Sequence, residues 1–121
     1  MSWTQDLTSY AESQLTSRER GALCDRGVSP EQIGAYRLGY LNNELPEGLP
    51  KDFVTWASGK DKSGHARMAD SYLFPLTTTL GEIRGFQLRH VDRKQGGYSD
   101  YFLDRPQREA CLFGLGQAVS A

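Results

Sequence analysis

Apolar residues in the first part of the chain recur at three- and four-residue spacing, the period of a helix with one buried face. Leu7, Tyr10, Ala11 and Leu15 fall on one side of "TQDLTSYAESQL", which predicts a helix from Thr4 to about Leu15. Thr16 or Ser17 then caps a second helix, "SRERGALCDRG", that stops at Gly27. Ser29 as N-cap, Pro30 in the first turn and Glu31 at the positive end of the dipole predict a third, over about Pro30 to Ala35. The stretch "YRLGYLNNELPEGLP" reads as a loop, and Pro50 opens a short helix, "PKDFVTWASG", presenting Phe53, Val54 and Trp56.

After the Gly-, Lys- and Ser-rich loop "GKDKSGHARMADS" the period changes to two. Tyr72 to Thr77 and Ile83 to Val91 read as strands joined by a turn over Thr79–Glu82. "DRKQGG" is a second turn and "YSDYFLD" a third strand, followed by a helical turn from Pro106 to about Glu109 and the apolar "CLFGLG". The expected fold is α+β: several amino-terminal helices followed by a small antiparallel β-meander. One domain is expected over 1–121, with the helical part at about 4–59 and the strand part at about 71–104.

Composition narrows the class without naming a function. A hydrophobic content of 38% and a charged content of 24% describe an ordinary soluble domain. No apolar run has the roughly 18 residues of a membrane helix, and the amino terminus has no basic stretch leading into an apolar core. Cys24 and Cys111 stand far apart with no ligand-spaced histidine, so a reduced, cytoplasmic protein without a zinc site or membrane partner is expected. The net charge of −1 argues against a strongly basic nucleic-acid binder. Residues 1–59 carry five Lys/Arg against eight Asp/Glu (−3), and 60–121 carry nine against seven (+2).

On the strand Ile83–Val91, alternation places Arg84, Phe86, Leu88 and His90 on one face, and Ile83, Gly85, Gln87, Arg89 and Val91 on the other. Phe86 and Leu88 mark a packing face. The second face has the room left by Gly85 and the donors of Gln87 and Arg89. Periodicity alone leaves two readings: this face meets a phosphate backbone, or it points to water.

"YLFPLTTTLGEIRGFQLR" resembles the strand pair of bacterial-type (DnaG-type) DNA primases, where a phrase of the form MFP-I-x-D-x-x-G-x-I-x-GFGGR recurs. "YFLDRPQREACLFGLGQA" is similar to that family's KYLNSPET…LYGL segment, and "CDRGVSPEQIGAYRLGYLNN" to its RGLS-x-E-x-I segment. The three stand in the family's order over about residues 18–118. The resemblance implies the amino-terminal subdomain of the primase RNA polymerase core, the region before TOPRIM. It implies binding of single-stranded template DNA for primer synthesis in replication, with TOPRIM and a replicative helicase as partners. By position, Arg26, Arg89 and Arg108 match the family's template-holding cations. Arginine suits that role through its planar fork of donors and constant charge.

The chain departs from the family in three places. Tyr101–Phe102 replaces a Lys–Tyr pair, which leaves Tyr101 to stack on a base. Gln87–Leu88 replaces a glycine pair, and the arginine before MFP is missing near Ser71, with Arg67 as a substitute and Lys60 and Lys62 adding charge. These losses point to a divergent phage or mobile-element primase or to a weak binder. An interaction module docking to TOPRIM or another replication protein is the alternative. The TOPRIM carboxylates are absent: there is no Asp-x-Asp, and the single "EG", Glu47–Gly48, lies in a Pro-flanked loop. His65 and His90 read as packing or surface residues. No catalytic residue, metal ligand or cofactor is therefore expected in this chain, and Mg or Mn is expected in a TOPRIM part. The chain, ending at "GLGQAVSA" near where a TOPRIM strand begins in the family, is expected to be inactive alone, as an excised subdomain or a reduced gene product.

Overall fold

A computed structural model of the protein describes residues 2–60, 64–78, 80–91 and 98–103. The predicted turn at 92–97, the helical turn from Pro106, the "CLFGLG" segment and the residues Lys62, Arg108 and Cys111 lie outside them.

Helix α1 (Trp3–Gln14) starts where the Ser2 hydroxyl accepts from the Thr4 amide at 3.3 Å, and buries Leu7 and Ala11. Helix α2 (Ser17–Asp25) is fixed at its start by Glu19, whose carboxylate accepts from the Thr16 amide at 2.8 Å and its hydroxyl at 2.6 Å. It ends at Gly27, whose φ of +92° suits glycine. Helix α3 (Pro30–Ala35) has a reciprocal cap in which Ser29 and Gln32 exchange backbone-to-side-chain bonds at 2.9 and 3.2 Å. Helix α4 (Lys51–Ser58) follows Pro50.

The segment expected to be a loop after α3 holds a strand, β1 (Gly39–Leu41), between α3 and α4. It pairs antiparallel with β2 (Ser71–Thr77), which pairs with β3 (Ile83–His90), which pairs with β4 (Tyr98–Phe102). The order β1-β2-β3-β4 is an antiparallel meander with α4 inserted in its first connection. The described elements are α+β, with helices leading. Among them no helix is long and apolar enough to cross a membrane.

The sheet is packed on both faces. On one, Tyr40, Tyr72 and Phe74 meet Leu15, Leu23, Val28, Ile33 and Leu38 from α2, α3 and their flanks. On the other, Leu41, Leu73, Phe86 and Leu88 meet Leu7 and Ala11 of α1 and Phe53 and Ala57 of α4. Each of the buried Leu, Ile, Val and Phe side chains contributes about 1.5–3 kcal/mol relative to exposure. Pro75 stands opposite Phe86 in β2, beyond Leu73 where the pairing with β1 ends. Its missing N–H thus falls where the strand edge on the β1 side is open.

Alternation is broken once. Leu76 pairs with Gly85 but Thr77 pairs with Ile83, so Arg84 is the extra residue of a bulge. The bulge moves Ile83 from the expected Gln87–Arg89 face to the cluster of Phe86 and Leu88. Arg37, at φ +54°, turns the exit of α3 back onto α1 through bonds to Gln5 (2.6 Å), Ser9 (3.1 Å) and Glu12 (2.9 Å).

Helix α1 lies directly on β1 because residue 39 has no side chain: a Cβ there would come within 2.4 Å of the Ala11 Cβ. A glycine-to-alanine change in compatible backbone stabilises by about 0.4–1 kcal/mol, whereas overpacking costs about 1–3 kcal/mol. Gly39→Ala should therefore lower the urea midpoint at unchanged m-value, a net loss of about 1–2 kcal/mol. A raised midpoint would show that α1 does not sit this close to β1.

Candidate nucleic-acid interface

The structure gathers four of the five residues singled out by sequence into two pairs on opposite faces of the sheet, and the fifth, Arg108, lies outside the described residues. Arg26 and Arg89 meet at Tyr72. Arg89 is the cross-strand neighbour of Tyr72, and the guanidinium of Arg26 lies 5.8 Å from the Tyr72 ring centroid. Arg26 reaches this position from the C-cap of α2, and its Nη2 donates to the carbonyl of Val91 just past β3. The bond ties the end of a helix to the end of a strand. Its Nη1 is buried without a partner among the described residues.

The face carrying Gln87 and Arg89 is closed. Gln87 is 1% and Arg89 8% exposed, so neither of the two openings allowed by alternation, to phosphate or to water, describes it. Its donors are turned to internal use: Gln87 Nε2 donates to Asp100 Oδ1 at 2.9 Å. The space beside Gly85 is taken by β4, since a Cβ there would stand 2.4 Å from the Tyr101 carbonyl oxygen.

Arg67 and Tyr101 meet at Trp56. The Arg67 guanidinium lies 5.7 Å from the Trp56 ring centroid while its Nη1 donates to the Trp56 carbonyl at 2.9 Å. The Tyr101 ring lies 5.2 Å from Trp56, 5.1 Å from Phe53 and 6.4 Å from Trp3. Phe53 is fully buried; Trp3, Trp56, Tyr101 and Arg67 are half-buried and form the rim of this cluster. Lys51 and Lys60, near the two ends of α4, are exposed. Arg26 is half-buried as well, so of the four described positions only Arg89 is closed off.

A polar network that the sequence reading missed lies along α2. Glu19, 3% exposed, accepts from Arg18 Nε at 2.7 Å. Arg18 Nη2 also reaches the Tyr40 hydroxyl at 3.3 Å and Asp70 at 3.4 Å, and Tyr40 donates to Asp70. Arg18, Glu19 and Tyr40 border a cavity of about 380 Å³ lined also by Asn42 and Glu44. Burial pushes the Glu19 carboxyl up, but the bonds from Thr16 and Arg18 outweigh it and hold the group below the usual glutamate range. The signal that could have pointed to it is the Thr16-x-x-Glu19 spacing of a capping box. With Glu19, Glu44 and Asp70 against a single arginine, it does not suit a phosphate.

The rings of His65 and His90 lie 5.6 Å apart, and His90 Nδ1 stands 2.9 Å from the Ala69 carbonyl. Among the described residues no group of three or more His, Cys, Asp or Glu could hold a metal ion.

Searches for relatives gave a consistent answer at the level of structure. No protein-family model matches the sequence and no curated protein matches it. The fold is similar to the E. coli primase catalytic core, with a TM-score of 0.59 and 19% identity over 82% of this chain and 38% of that one. It is similar to a DnaG primase catalytic domain bound to single-stranded DNA (TM-score 0.58, 19% identity, 80% of this chain and 36% of that one). It is also similar to the RNA polymerase domain of Mycobacterium tuberculosis primase DnaG (TM-score 0.57, 16% identity, 80% and 37%). The chain therefore has the fold of one part of a DnaG-type primase core and spans little over a third of those structures.

The buried tyrosines give this arrangement a signature in alkali. Burial, reinforced by Asp70, pushes Tyr40 up to about 12. Burial also raises Tyr72, against the opposing charge of Arg26, and raises Tyr101 beside Asp52. A phenol whose folded value lies above its unfolded value of about 10 adds stability that is complete below pH 10 and is lost as pH rises towards the folded value. The stability of the chain should fall between about pH 10 and 12, with Tyr40→Phe flattening the decline. An ultraviolet phenolate titration in which all tyrosines ionise together near pH 10, without unfolding, would contradict this packing.

Proposed function

We propose that this chain forms the part of a DNA primase that holds single-stranded template, and that a TOPRIM part supplies the divalent-metal chemistry of primer synthesis. The observation that carries the reading is the similarity of fold to primase catalytic cores over four-fifths of the chain, one of them bound to single-stranded DNA. The resemblance of three sequence segments to the same family, over about residues 18–118, supports it. Within this reading Mg or Mn belongs to the TOPRIM part.

Within this reading the positions divide by exposure. Arg67 and Tyr101, half-buried on the aromatic rim, have surface to offer a nucleic acid. Arg26 is half-committed to Val91. Arg89 acts from beneath, as a buried cation that fixes the Tyr72 face and adds positive potential. Arg108 remains a candidate contact on the resemblance alone.

A second reading has its own observation. Leu80, at the β2–β3 turn, is 84% exposed and Tyr36 is 49% exposed, as suits a domain that docks on a protein such as TOPRIM or another replication factor.

Fluorescence anisotropy of a labelled single-stranded oligonucleotide, at about 50 and 200 mM salt, separates the two. Template binding predicts affinity that falls with salt. Arg67→Ala should reduce the slope of log K against log salt by about 0.7, one single-strand phosphate contact, similarly for all sequences. No binding at low salt, together with concentration-dependent self-association, would favour the docking reading.

A further inference from the structure

We infer that the rim formed by Trp3, Trp56 and Tyr101, with Arg67 laid over Trp56, is a stacking platform for the unpaired bases of single-stranded nucleic acid. It rests on the template-holding reading above and gives that reading a surface of defined chemistry.

The chain has two tryptophans in 121 residues, and both stand on this rim. Each is half-buried, as is Tyr101, while the Phe53 ring below them is fully buried and lies 5.2 Å from Trp3 and 5.6 Å from Trp56. A rigid floor under partly exposed rings suits a surface that binds flat partners, because little side-chain freedom is left to lose. The rings are not coplanar: Trp56 and Tyr101 are inclined at 51° and Trp3 and Tyr101 at 75°. A flexible single strand can tilt successive bases to meet rings set at different angles, where a stiff duplex cannot.

The charges divide in a way that favours bases over backbone at the centre. Arg67 holds a cation over the Trp56 ring, and exposed Lys51 and Lys60 stand near the ends of α4. Burial raises the Tyr101 hydroxyl and the negative charge of Asp52 adds to the rise, so a phosphate beside that ring is disfavoured. Stacking needs no base identity, since every base has a π-face, and the resulting binding tolerates any sequence. The plainer account, a core edge that happens to be aromatic, makes no such prediction.

Because both tryptophans sit on the platform, their emission reports on it directly. The full chain is titrated with end-labelled oligothymidylate and with an abasic phosphodiester of equal length, following tryptophan emission and label anisotropy together. Oligothymidylate should quench the emission in step with the rise in anisotropy. The abasic strand should bind about tenfold more weakly or worse, without quenching. Trp56→Ala should lose a similar factor for oligothymidylate at an unchanged salt slope, and Trp3→Phe should retain a quenchable Trp56 signal. If Trp56→Ala does not fold, the quenching contrast in the natural chain still decides. Anisotropy rising with no change in emission would overturn the platform and leave the template reading standing. No rise at low salt would overturn both. Emission that shifts on raising protein concentration alone, with no response to oligothymidylate, would mark the rim as a protein interface and overturn the inference.

Discussion

Burial of β2 on both faces is the constraint from which the rest of the structure follows. Ser71, Tyr72, Leu73 and Phe74 are each at most 2% exposed, and alternation sends Tyr72 and Phe74 to one side and Leu73 to the other. A strand with apolar side chains on both faces needs a cover on each. Helices α2 and α3 provide one, and α1 and α4 the other. The close seating of Ala11 over Gly39 lets α1 reach the sheet at all. Pro75 fits the same strand because β1 stops short of it.

This two-sided cover decides which cations can meet a ligand. Arg89 shares its face with Tyr72, and that face belongs to the core. Its cross-strand neighbour Tyr72 lies under the guanidinium of Arg26, which joins the end of α2 to the end of β3. On the opposite face the core ends at α4 and β4 in large rings that it does not fully enclose. The aromatic rim is thus a by-product of packing as well as a surface: the fold needs Phe53 inside, and Trp56 and Tyr101 follow at its edge.

Much of the architecture was legible from local rules. Ser29–Pro30 before an apolar position and Gly27 after the periodic stretch gave α3 and the end of α2 at their observed limits. The strands expected at Tyr72–Thr77 and Ile83–Val91 are found within one residue, at Ser71–Thr77 and Ile83–His90, around a turn where Gly81 takes φ +82°. β1 was not legible, because three residues ahead of Asn42–Asn43 are too few to show a period and their strand character comes from pairing with Ser71–Leu73. The bulge at Arg84 was hidden for a related reason: register is set between strands, so alternation carried Ile83 to the wrong face.

The site was legible in its residues more than in its geometry. Alternation correctly put Gln87 and Arg89 opposite Phe86 and Leu88, but it says nothing of what covers a face, and here helices do. Arg67 and Tyr101 are 34 positions apart in sequence (101 − 67). Trp56 unites them only through the tertiary path of α4 beside β4.

The most direct test of the account is amide and indole chemical-shift mapping of the ¹⁵N-labelled chain with a short single-stranded oligonucleotide at low salt. The account predicts perturbations centred on the Trp3 and Trp56 indoles, Arg67 and Tyr101, with Gln87 and Arg89 little affected. Perturbations centred on α2 and the Arg18–Tyr40–Asp70 network, or none at saturating oligonucleotide, would contradict it.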